Sequence, residues 1–599
     1  MQTTQQITLE LNEDINYRYV YGIQFDNASR FIMITLTENG IKFIPPQKAT
    51  ASFRCLKPDG TSCINAAKIN SDGTITAELT EQVLAVEGQV KADISLLDGK
   101  SVLSTATFFI QVEEVPSSAN QITSTDEFLI LNEKINEATE AINAITDTVD
   151  TANDALHRVE ALEAYVGYTD NDILGLQADY ENKRFTKLAG AVGLNAGDDF
   201  DQFSMYGGMK RCNVSDNGAI TAYYGDDNYA DDGSNGQVMV YVPRFYYKVV
   251  PLKLEKIANG FGYHIRKANY YVTDKPLAGF KLHPAFVNED GDEVDYFLCS
   301  AYEGSVFRTS VNAYFSDAEY QTFTISNTDL LSSVSGKKPV TGQRILLTRD
   351  NAETLATNRA KGWHCQTLKS LSALQFLMMI EIGALNVQTN ISMGICNNGK
   401  TYEEMNYCAL TGSTSSLGNK TGTAASTAYR YYDNTAQKAV SENQTVSTAV
   451  AVSYRGIENP WGNLFKWIQG INIWGDGTMA GGQAYICDDF NFTESKKDEN
   501  YFPVGFTLPE ETGYPSAFGY GYEKYDWVFL PTEIKGNNQL PIGDQGYNTK
   551  NLNRYNTMLG CGAWGSNNAA GMFVAYLTNA PTYKRFHVGC RLIYVPPAE

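Results

Sequence analysis

Residues 454–467 read Tyr-Arg-Gly-Ile-Glu-Asn-Pro-Trp-Gly-Asn-Leu-Phe-Lys-Trp, and this block sets the architecture of the C-terminal half of the chain. Glu458 and Asn463 carry side chains that bond backbone groups in turn-rich regions. Trp461 and Trp467 supply the bulk that a core built from short strands needs, and the glycine between them allows a close backbone approach. The composition of the block therefore indicates a scaffold that does not contact ligand.

Four further blocks flank this one in a fixed order. They are residues 237–247 (Gln-Val-Met-Val-Tyr-Val-Pro-Arg-Phe-Tyr-Tyr), 279–286 (Gly-Phe-Lys-Leu-His-Pro-Ala-Phe), 362–364 (Gly-Trp-His) and 588–594 (Val-Gly-Cys-Arg-Leu-Ile-Tyr). The set resembles the formylglycine-generating-enzyme branch of the C-type-lectin fold. It is most similar to phage tail proteins of that branch, including variable proteins diversified by retroelements.

The resemblance covers most of residues 200–599 and implies a receptor-binding domain over residues 168–599. The composition is compatible with this fold, because the region is rich in Gly, Tyr and Asn and has many long loops between short apolar strands. One clear helix is predicted from Ser370 to Glu381, with Ser370 as its cap. An α+β domain whose loops carry function is therefore expected.

The resemblance also implies where a ligand binds. In retroelement-diversified relatives the variable segment ends at a Gly-x-Arg-Leu strand, which places it here at about 547–586. The steps Gly562-x-Trp564 and Gly571-x-Phe573 are implied to be framework. An ordinary loop-rich edge of the fold is the alternative for this segment. The residues expected to form the binding surface are Tyr547, Asn548, Asn551, Asn553, Tyr555, Ala563, Gly565, Ser566, Asn567, Val574 and Tyr576.

The first 118 residues predict an all-β sandwich. Apolar and polar residues alternate in residues 31–36, 51–56 and 90–97, and turn signals such as Pro58-Asp59-Gly60 separate such runs. Residues 53–60, 88–94 and 103–108 resemble the N-terminal domain of phage baseplate upper proteins. That resemblance implies an immunoglobulin-like module at 1–118 that docks to phage baseplate or tail proteins.

Residues 119–167 predict a coiled-coil stalk. No Gly or Pro occurs in residues 126–166, and apolar residues recur there at alternating steps of three and four over more than five heptads. Such a helix is a rod of about 60 Å. β-branched residues at both seams favour a homotrimer, although the alanines weaken that choice of oligomer. A helix packed within one globular domain is the alternative.

Composition and charge exclude several classes of function. The 599 residues carry 47 Lys and Arg against 68 Asp and Glu, a net charge of −21, so no basic face for nucleic acid or for an anionic membrane is expected. The N-terminus does not resemble a signal peptide, and no apolar run is long enough to span a bilayer. The ten cysteines lack paired spacing, so reduced, buried thiols are expected in a chain made in a bacterial cytoplasm.

No catalytic constellation is evident. Acidic pairs and clusters at residues 226–227, 231–232, 289–293 and 488–489 lie among Gly and Asn, as solvated turns do, although calcium binding is an alternative for them. The enzyme branch of the lectin fold suggests a cysteine pair at Cys561 and Cys590, for which buried structural thiols are the preferred interpretation. His283 and His364 have no neighbours at ligand spacing. We therefore expect no cofactor and no enzymatic activity.

Together these features predict a homotrimeric receptor-binding protein in the tail of a phage particle. The sandwich would dock the chain to the baseplate, the stalk would set reach and symmetry, and the lectin-like domain would bind a host surface glycan or protein. The alternatives are a tail-associated glycan depolymerase, which needs paired carboxylates in a groove, and a purely structural tail component.

Overall fold

A computed structural model shows that the chain forms two compact units, Met1–Asn153 and Asp154–Glu599. Most elements of both units are strands. The coiled-coil prediction for residues 119–167 falls outside the residues that the structure describes. The described residues are 2–12, 15–24, 26–46, 48–98, 101–105, 107–114, 168–315, 325–342, 347–397, 408–433, 438–442, 449–476, 481–493, 500–549 and 552–598.

The described part of the N-terminal unit contains strands only. The ten strands are β1 (Thr3–Glu10), β2 (Ile15–Ile23), β3 (Arg30–Glu38), β4 (Ile41–Phe43), β5 (Thr50–Leu56), β6 (Ser62–Ile69), β7 (Ile75–Glu78), β8 (Gly88–Asp98), β9 (Ser101–Ser104) and β10 (Thr107–Glu113).

These strands form one continuous sheet that curls around its own core. The order is β1-β3-β7-β6-β5-β8-β10-β2, with β4 on β3 and β9 on β8. The first and last strands meet, because the Gln5 side chain donates a hydrogen bond to the Tyr21 carbonyl (2.6 Å) and accepts one from its N–H (3.0 Å). A sheet whose two edges meet leaves few unpaired backbone groups for aggregation.

The predicted alternation of buried and exposed residues is confirmed in this unit. Along β3, Ile32, Ile34 and Leu36 are fully buried while the residues between them are partly exposed. Successive strand residues point to opposite faces, so this pattern places one face of the strand on the core. Phe53 of β5 and Phe108 of β10 pack in the same core at 6.3 Å between ring centroids.

The prediction that all ten cysteines are reduced is wrong for one pair. Cys55 and Cys63 form a disulfide between β5 and β6. The two residues lie directly opposite each other in the antiparallel register, with Cα atoms 5.3 Å apart, which is within the range that a disulfide spans. The eight other cysteines are free and buried.

The C-terminal unit contains the remaining strands. They are β11 (Leu174–Asp179), β12 (Arg184–Ala189), β13 (Lys210–Val214), β14 (Ile220–Tyr223), β15 (Gln237–Pro243), β16 (Tyr246–Lys256), β17 (Tyr263–Thr273), β18 (Lys281–Leu282), β19 (Tyr296–Ser300), β20 (Ser305–Arg308), β21 (Ala313–Tyr314), β22 (Leu330–Ser332), β23 (Trp363–Cys365), β24 (Gly422–Thr423), β25 (Tyr429–Asp433), β26 (Lys438–Glu442), β27 (Val452–Tyr454), β28 (Ile457–Glu458), β29 (Phe465–Asp476), β30 (Gln483–Cys487), β31 (Tyr501–Thr507), β32 (Ala517–Tyr520), β33 (Pro531–Glu533), β34 (Gly546–Tyr547), β35 (Leu552–Gly560), β36 (Ala575–Asn579), β37 (Val588–Gly589) and β38 (Leu592–Tyr594).

Its described α-helices are α1 (Ser204–Gly207), α2 (Arg349–Thr357), α3 (Leu368–Ile382) and α4 (Val387–Asn390). Helix α3 is the helix that the sequence predicts, but it begins two residues earlier. Its cap is Thr367, whose hydroxyl accepts a hydrogen bond from the Ser370 N–H (3.1 Å), so the prediction of Ser370 as the cap is wrong. All of α3 from Leu368 to Glu381 is buried, as expected of a helix enclosed by sheets.

The C-terminal unit contains three larger sheets, and α3 packs against strands of the first and the third. The first has the order β12-β11-β17-β16-β18, with β32 and β33 attached through β17, and the second has the order β14-β13-β15-β19-β38-β23. The third has the order β31-β30-β29-β35-β36-β34, with β37 on β29. Among the described residues, no helix is both long enough and apolar enough to cross a membrane.

Candidate binding surface

The Glu458 carboxylate anchors a loop of the C-terminal unit from inside the core. It accepts hydrogen bonds from the N–H of Gly412 (2.8 Å), the N–H of Thr414 (2.6 Å) and the Thr414 hydroxyl (2.8 Å). Desolvation raises the pKa of this buried carboxyl, while these hydrogen bonds oppose the rise. The contacts are those of a scaffold residue, as the sequence predicts.

Asn463 has the same role on the other side of the block. Its side-chain oxygen accepts the Ala409 N–H (2.8 Å), and its amide donates to Glu303. Gly462 has a φ of 76°, and a Cβ atom there would lie 2.8 Å from the Ile395 carbonyl oxygen and from Cys396 Sγ. Only glycine fits this close approach, which confirms the predicted reason for its presence.

Arg591, in the closing Gly-x-Arg-Leu step, connects the end of the chain to this block. Its guanidinium donates to the carbonyls of Ser300 (3.0 Å), Asn459 (2.9 Å) and Glu458, and its side chain is buried. A planar group with five donors suits several carbonyls at once. Arg591 therefore has a structural role: it ties the end of the chain to residues 454–467.

Four aromatic side chains share one face of the third sheet, and we call them the aromatic face: Trp474, Tyr547, Tyr555 and Tyr576. Trp474 of β29 lies opposite Tyr555 of β35, with ring centroids 4.4 Å apart. Tyr547 of β34 lies opposite Tyr576 of β36, at 4.6 Å. All four are partly exposed.

Strand periodicity places both pairs on the same side. Tyr555 and Leu559 are four residues apart in β35, so they share a face, and Leu559 lies opposite Tyr576 in the neighbouring strand. Leu559 is buried in the second core cluster, against which Tyr547 and Tyr576 also pack. The opposite face of β35 carries Met558, which belongs to the first core cluster.

Three of the residues predicted to project at the surface are buried, and that prediction is wrong for them. The side chains of Ala563 and Val574 are fully buried in the second core cluster. Ser566 is 7% exposed, and its hydroxyl accepts the Ala563 N–H (2.9 Å), so it closes a turn. The connection between β35 and β36 thus turns these small and apolar residues into the core.

Asn548 is also buried, and the prediction that it faces a ligand is wrong. Its amide donates to the carbonyls of Gly481 (3.2 Å) and Pro509 (2.7 Å), and its N–H donates to the Thr512 hydroxyl (3.2 Å). These bonds hold the loop before β35 in place. Asn548 is therefore a scaffold residue.

Of the other predicted residues, Gly565 is partly exposed and Asn567 is exposed, in the turn after β35. Asn567 has a φ of 50°, and its N–H donates to the Cys396 carbonyl (2.8 Å). Asn553 lies in β35, and Asn551 falls outside the described residues. The structure thus places Tyr547, Tyr555 and Tyr576 on one face of the sheet and adds Trp474, as two separate ring pairs. Sequence reasoning missed Trp474, because only the register of β29 with β35 places it there.

Asp544 is a second residue that the sequence gave no reason to single out. Its carboxyl is fully buried and accepts the Phe573 N–H (2.7 Å). Gly571 leaves room for it, because a Cβ atom at that glycine would lie 2.0 Å from the carboxyl. Burial raises the pKa of Asp544 well above its ordinary value, because a charged carboxylate would lose its solvation there. The predicted framework role of Gly571 follows from this packing.

The acidic clusters have partners within the protein. Asp290 pairs with Lys361 (2.9 Å), and Asp231 accepts hydrogen bonds from the hydroxyls of Tyr229 (2.7 Å) and Tyr302 (2.9 Å). No group of three or more His, Cys, Asp or Glu side chains in the described ranges is arranged to hold a metal ion.

The suspected oxidase cysteines lie in different core clusters, Cys561 in the first and Cys590 in the second. Burial raises the pKa of Cys561 to about 11, so its thiol is protonated and unreactive at neutral pH. His283 is enclosed by aromatic rings, and its pKa is lowered well below its ordinary value by burial. These groups are core residues.

The family model for the BppU N-terminal domain, from phage baseplate upper proteins, matches residues 3–143. The predicted resemblance is thereby confirmed, and the match extends beyond the expected boundary at residue 118 into the segment predicted as a stalk. This domain marks the chain as a phage baseplate or tail component.

Solved structures give weaker likenesses. The N-terminal domain of phage TP901-1 ORF48 is 23% identical over 18% of this chain and 98% of that chain, with a TM-score of 0.16. The Major Tropism Determinant U1 and I1 variants are each 13% identical over 67% of this chain and 73% of theirs, with TM-scores of 0.21. Scores this low support no argument about fold or function. A search of the curated proteins found no match.

Proposed function

We propose that the chain is a receptor-binding protein of a phage tail, which attaches the particle to the host cell surface by adhesion without making or breaking bonds. In this proposal an immunoglobulin-like N-terminal module docks to the baseplate, and a C-type-lectin-like C-terminal domain carries the receptor site. The observation that carries the proposal is the BppU N-terminal match at residues 3–143, because it attaches a much larger second unit to a baseplate domain.

The aromatic face is the part of the C-terminal unit best suited to contact a receptor. Tyr and Trp offer large contact areas at low entropic cost, with an apolar ring and a polar tip. The close, tilted ring pairs Trp474–Tyr555 and Tyr547–Tyr576 hold their rings in place before any ligand arrives. Preorganised side chains lose less freedom on binding, so the face supports recognition of a host glycan or protein.

The proposed trimer would strengthen weak contacts. If residues 119–167 join three copies, three receptor sites engage a repetitive surface together. Once one site has bound, binding of the second and third is effectively intramolecular, so overall avidity exceeds that of a single site by about 10²–10⁴.

Binding of the purified, fluorescently labelled full chain to host cells tests the proposal. Tyr555→Ala should weaken binding by about tenfold or more, because truncation of a central interface tyrosine often costs about 2 kcal/mol. Tyr263→Ala is the matched control, since Tyr263 is 41% exposed and lies in β17, outside the aromatic face. Equal binding by both variants would refute the aromatic face as the receptor site.

Cleavage of the host surface would overturn adhesion as the mechanism. The full chain is incubated with host cell-wall and capsule glycans, and new reducing ends are measured. Pure adhesion predicts none above a heat-denatured control.

A further inference from the structure

A recess of about 280 Å³ lies in the C-terminal unit, and it shares no residue with the aromatic face. Its polar lining comes from residues 198–201, from residues 419–421 and from Arg455 of the 454–467 block. The polar lining residues are Asp198, Asp201, Asn419, Lys420, Thr421 and Arg455.

Arg455 forms a fixed wall of this recess. Its guanidinium bonds both carboxylate oxygens of Glu381 (2.8 and 2.7 Å), and it also bonds Asp201 (2.7 Å). Its remaining donors bond the carbonyls of Tyr206 (3.1 Å) and Gly197 (3.2 Å). Every N–H of the guanidinium is used, so Arg455 positions the recess and leaves ligand contacts to its neighbours.

The neighbouring lining residues keep hydrogen-bonding capacity that the protein itself does not use. Asp201 gives one oxygen to Arg455, and Asn419 gives its side-chain oxygen to the Arg211 N–H (2.8 Å). The second Asp201 oxygen and the Asn419 amide make no further bond within the described ranges. Within the same ranges the exposed charges of Asp198 and Lys420 have no side-chain partner.

The lining combines hydrogen-bond acceptors and donors. Asp198 and Asp201 are acceptors, whereas Lys420 and the amide of Asn419 are donors. Lys420 offsets Asp198, whereas Arg455 is shared between Asp201 and the buried Glu381, so the lining has no surplus positive charge and does not favour an anion. A ligand rich in hydroxyl groups can both donate and accept, and thus satisfies all of these groups. The volume is near the lower end of ligand pockets, about 300 Å³, which suits one small polar unit.

We propose that this recess binds one neutral saccharide unit of a surface glycan, as a second site beside the aromatic face. The inference deepens the proposed function, because it names a ligand class for attachment. The inference rests on the proposed function only for where the glycan comes from, namely the host surface. The shape and lining of the recess do not depend on the proposed function.

The test is saturation-transfer NMR on the full chain with the methyl glycosides of glucose, galactose, mannose, rhamnose and N-acetylglucosamine. At least one glycoside is expected to receive saturation from the unsubstituted protein. In the double variant Asp198→Ala, Lys420→Ala its affinity should fall by about tenfold, because two hydrogen bonds to charged groups are lost. Neither residue supports the core, so the variant should fold.

Asp227→Ala with Lys256→Ala is the matched control, since it removes the same two charges from exposed positions outside the recess. Its affinity should equal that of the unsubstituted protein. The proposal is overturned if none of these glycosides binds, or if the recess variant and the control bind equally. Failure of the proposed function has a different signature, because the full chain would then not bind host cells at all, whatever the glycosides do.

Discussion

Asp544 is a carboxyl group held in a site that favours its neutral form. It accepts one backbone hydrogen bond, from Phe573, and has no water-exposed surface. Because its pKa is raised by folding, the unfolded chain binds fewer protons than the folded chain at pH values above about 4. This group therefore makes the free energy of unfolding fall as the pH rises above that value.

Asp544→Asn should remove this dependence, since an amide keeps the acceptor for Phe573 and does not titrate. The stability of the variant relative to the unsubstituted protein should rise with pH between 5 and 7, by at most about 1.4 kcal/mol per pH unit. Urea denaturation of the C-terminal unit at several pH values measures it. Asp227→Asn, at an exposed carboxyl, is the control, and parallel curves for both variants would contradict the assignment.

At the scale of single residues, sequence predicted the scaffold better than the surface. Glu458, Asn463 and Gly462 are in a motif whose residue types each have one structural use, and their contacts are as expected. Ala563 and Val574 could not be assigned in the same way. Both lie in the connection between β35 and β36, where there is no strand alternation to indicate which side chains point inward.

The closing strands show what one side chain does for a whole element. Strand β38 pairs with β19 and with β23, while Arg591 just before it bonds three carbonyls, two of them in the 454–467 block. The short strand has few ladder bonds of its own. The guanidinium therefore supplies much of its attachment.

Arg591→Lys should lower the free energy of unfolding of the C-terminal unit by about 2–3 kcal/mol, because an ammonium group cannot reach all three carbonyls and buried acceptors are left unpaired. Tryptophan fluorescence during urea denaturation measures the change. Arg585→Lys, at an exposed position in the same segment, should leave the midpoint unchanged. Equal denaturation midpoints for the two variants would contradict this structural role of Arg591.

Helix α3 was predictable in kind and less so in its limits. Its apolar content predicts a buried helix, yet Thr367 and Ser370 are both acceptable caps by residue type. The choice depends on the hydrogen bond between the Thr367 hydroxyl and the Ser370 N–H, which the sequence does not reveal.

At the scale of the whole molecule, abrupt changes in composition predict three segments, at 1–118, 119–167 and 168–599, whereas the structure divides into the two units Met1–Asn153 and Asp154–Glu599. The strands of the N-terminal unit have solvent-exposed outer faces, so the alternation of apolar and polar residues indicates them. The fold of the larger unit was instead predicted from the order of its sequence motifs. The pairing of distant strands such as β29 with β35 was not predictable, because no local pattern encodes register between segments about 80 residues apart.

Deleting residues 126–166 should convert a trimer into monomers, because the proposed stalk holds both heptad seams. Light scattering on the full chain and on the deletion variant gives the mass of each. A trimer that survives the deletion would show that another part of the chain joins the copies. The prediction also requires that the full chain itself has the mass of a trimer.

The position of β38 bears on how this protein is made. The strand lies between β19 and β23, inside the six-stranded sheet and away from its edges. A ribosome must therefore translate through Tyr594 before residues 296–300 and 363–365 can find their partner. A premature stop codon before β38 would leave β19 and β23 without the strand that joins them, so proteases should remove such truncated chains before particle assembly.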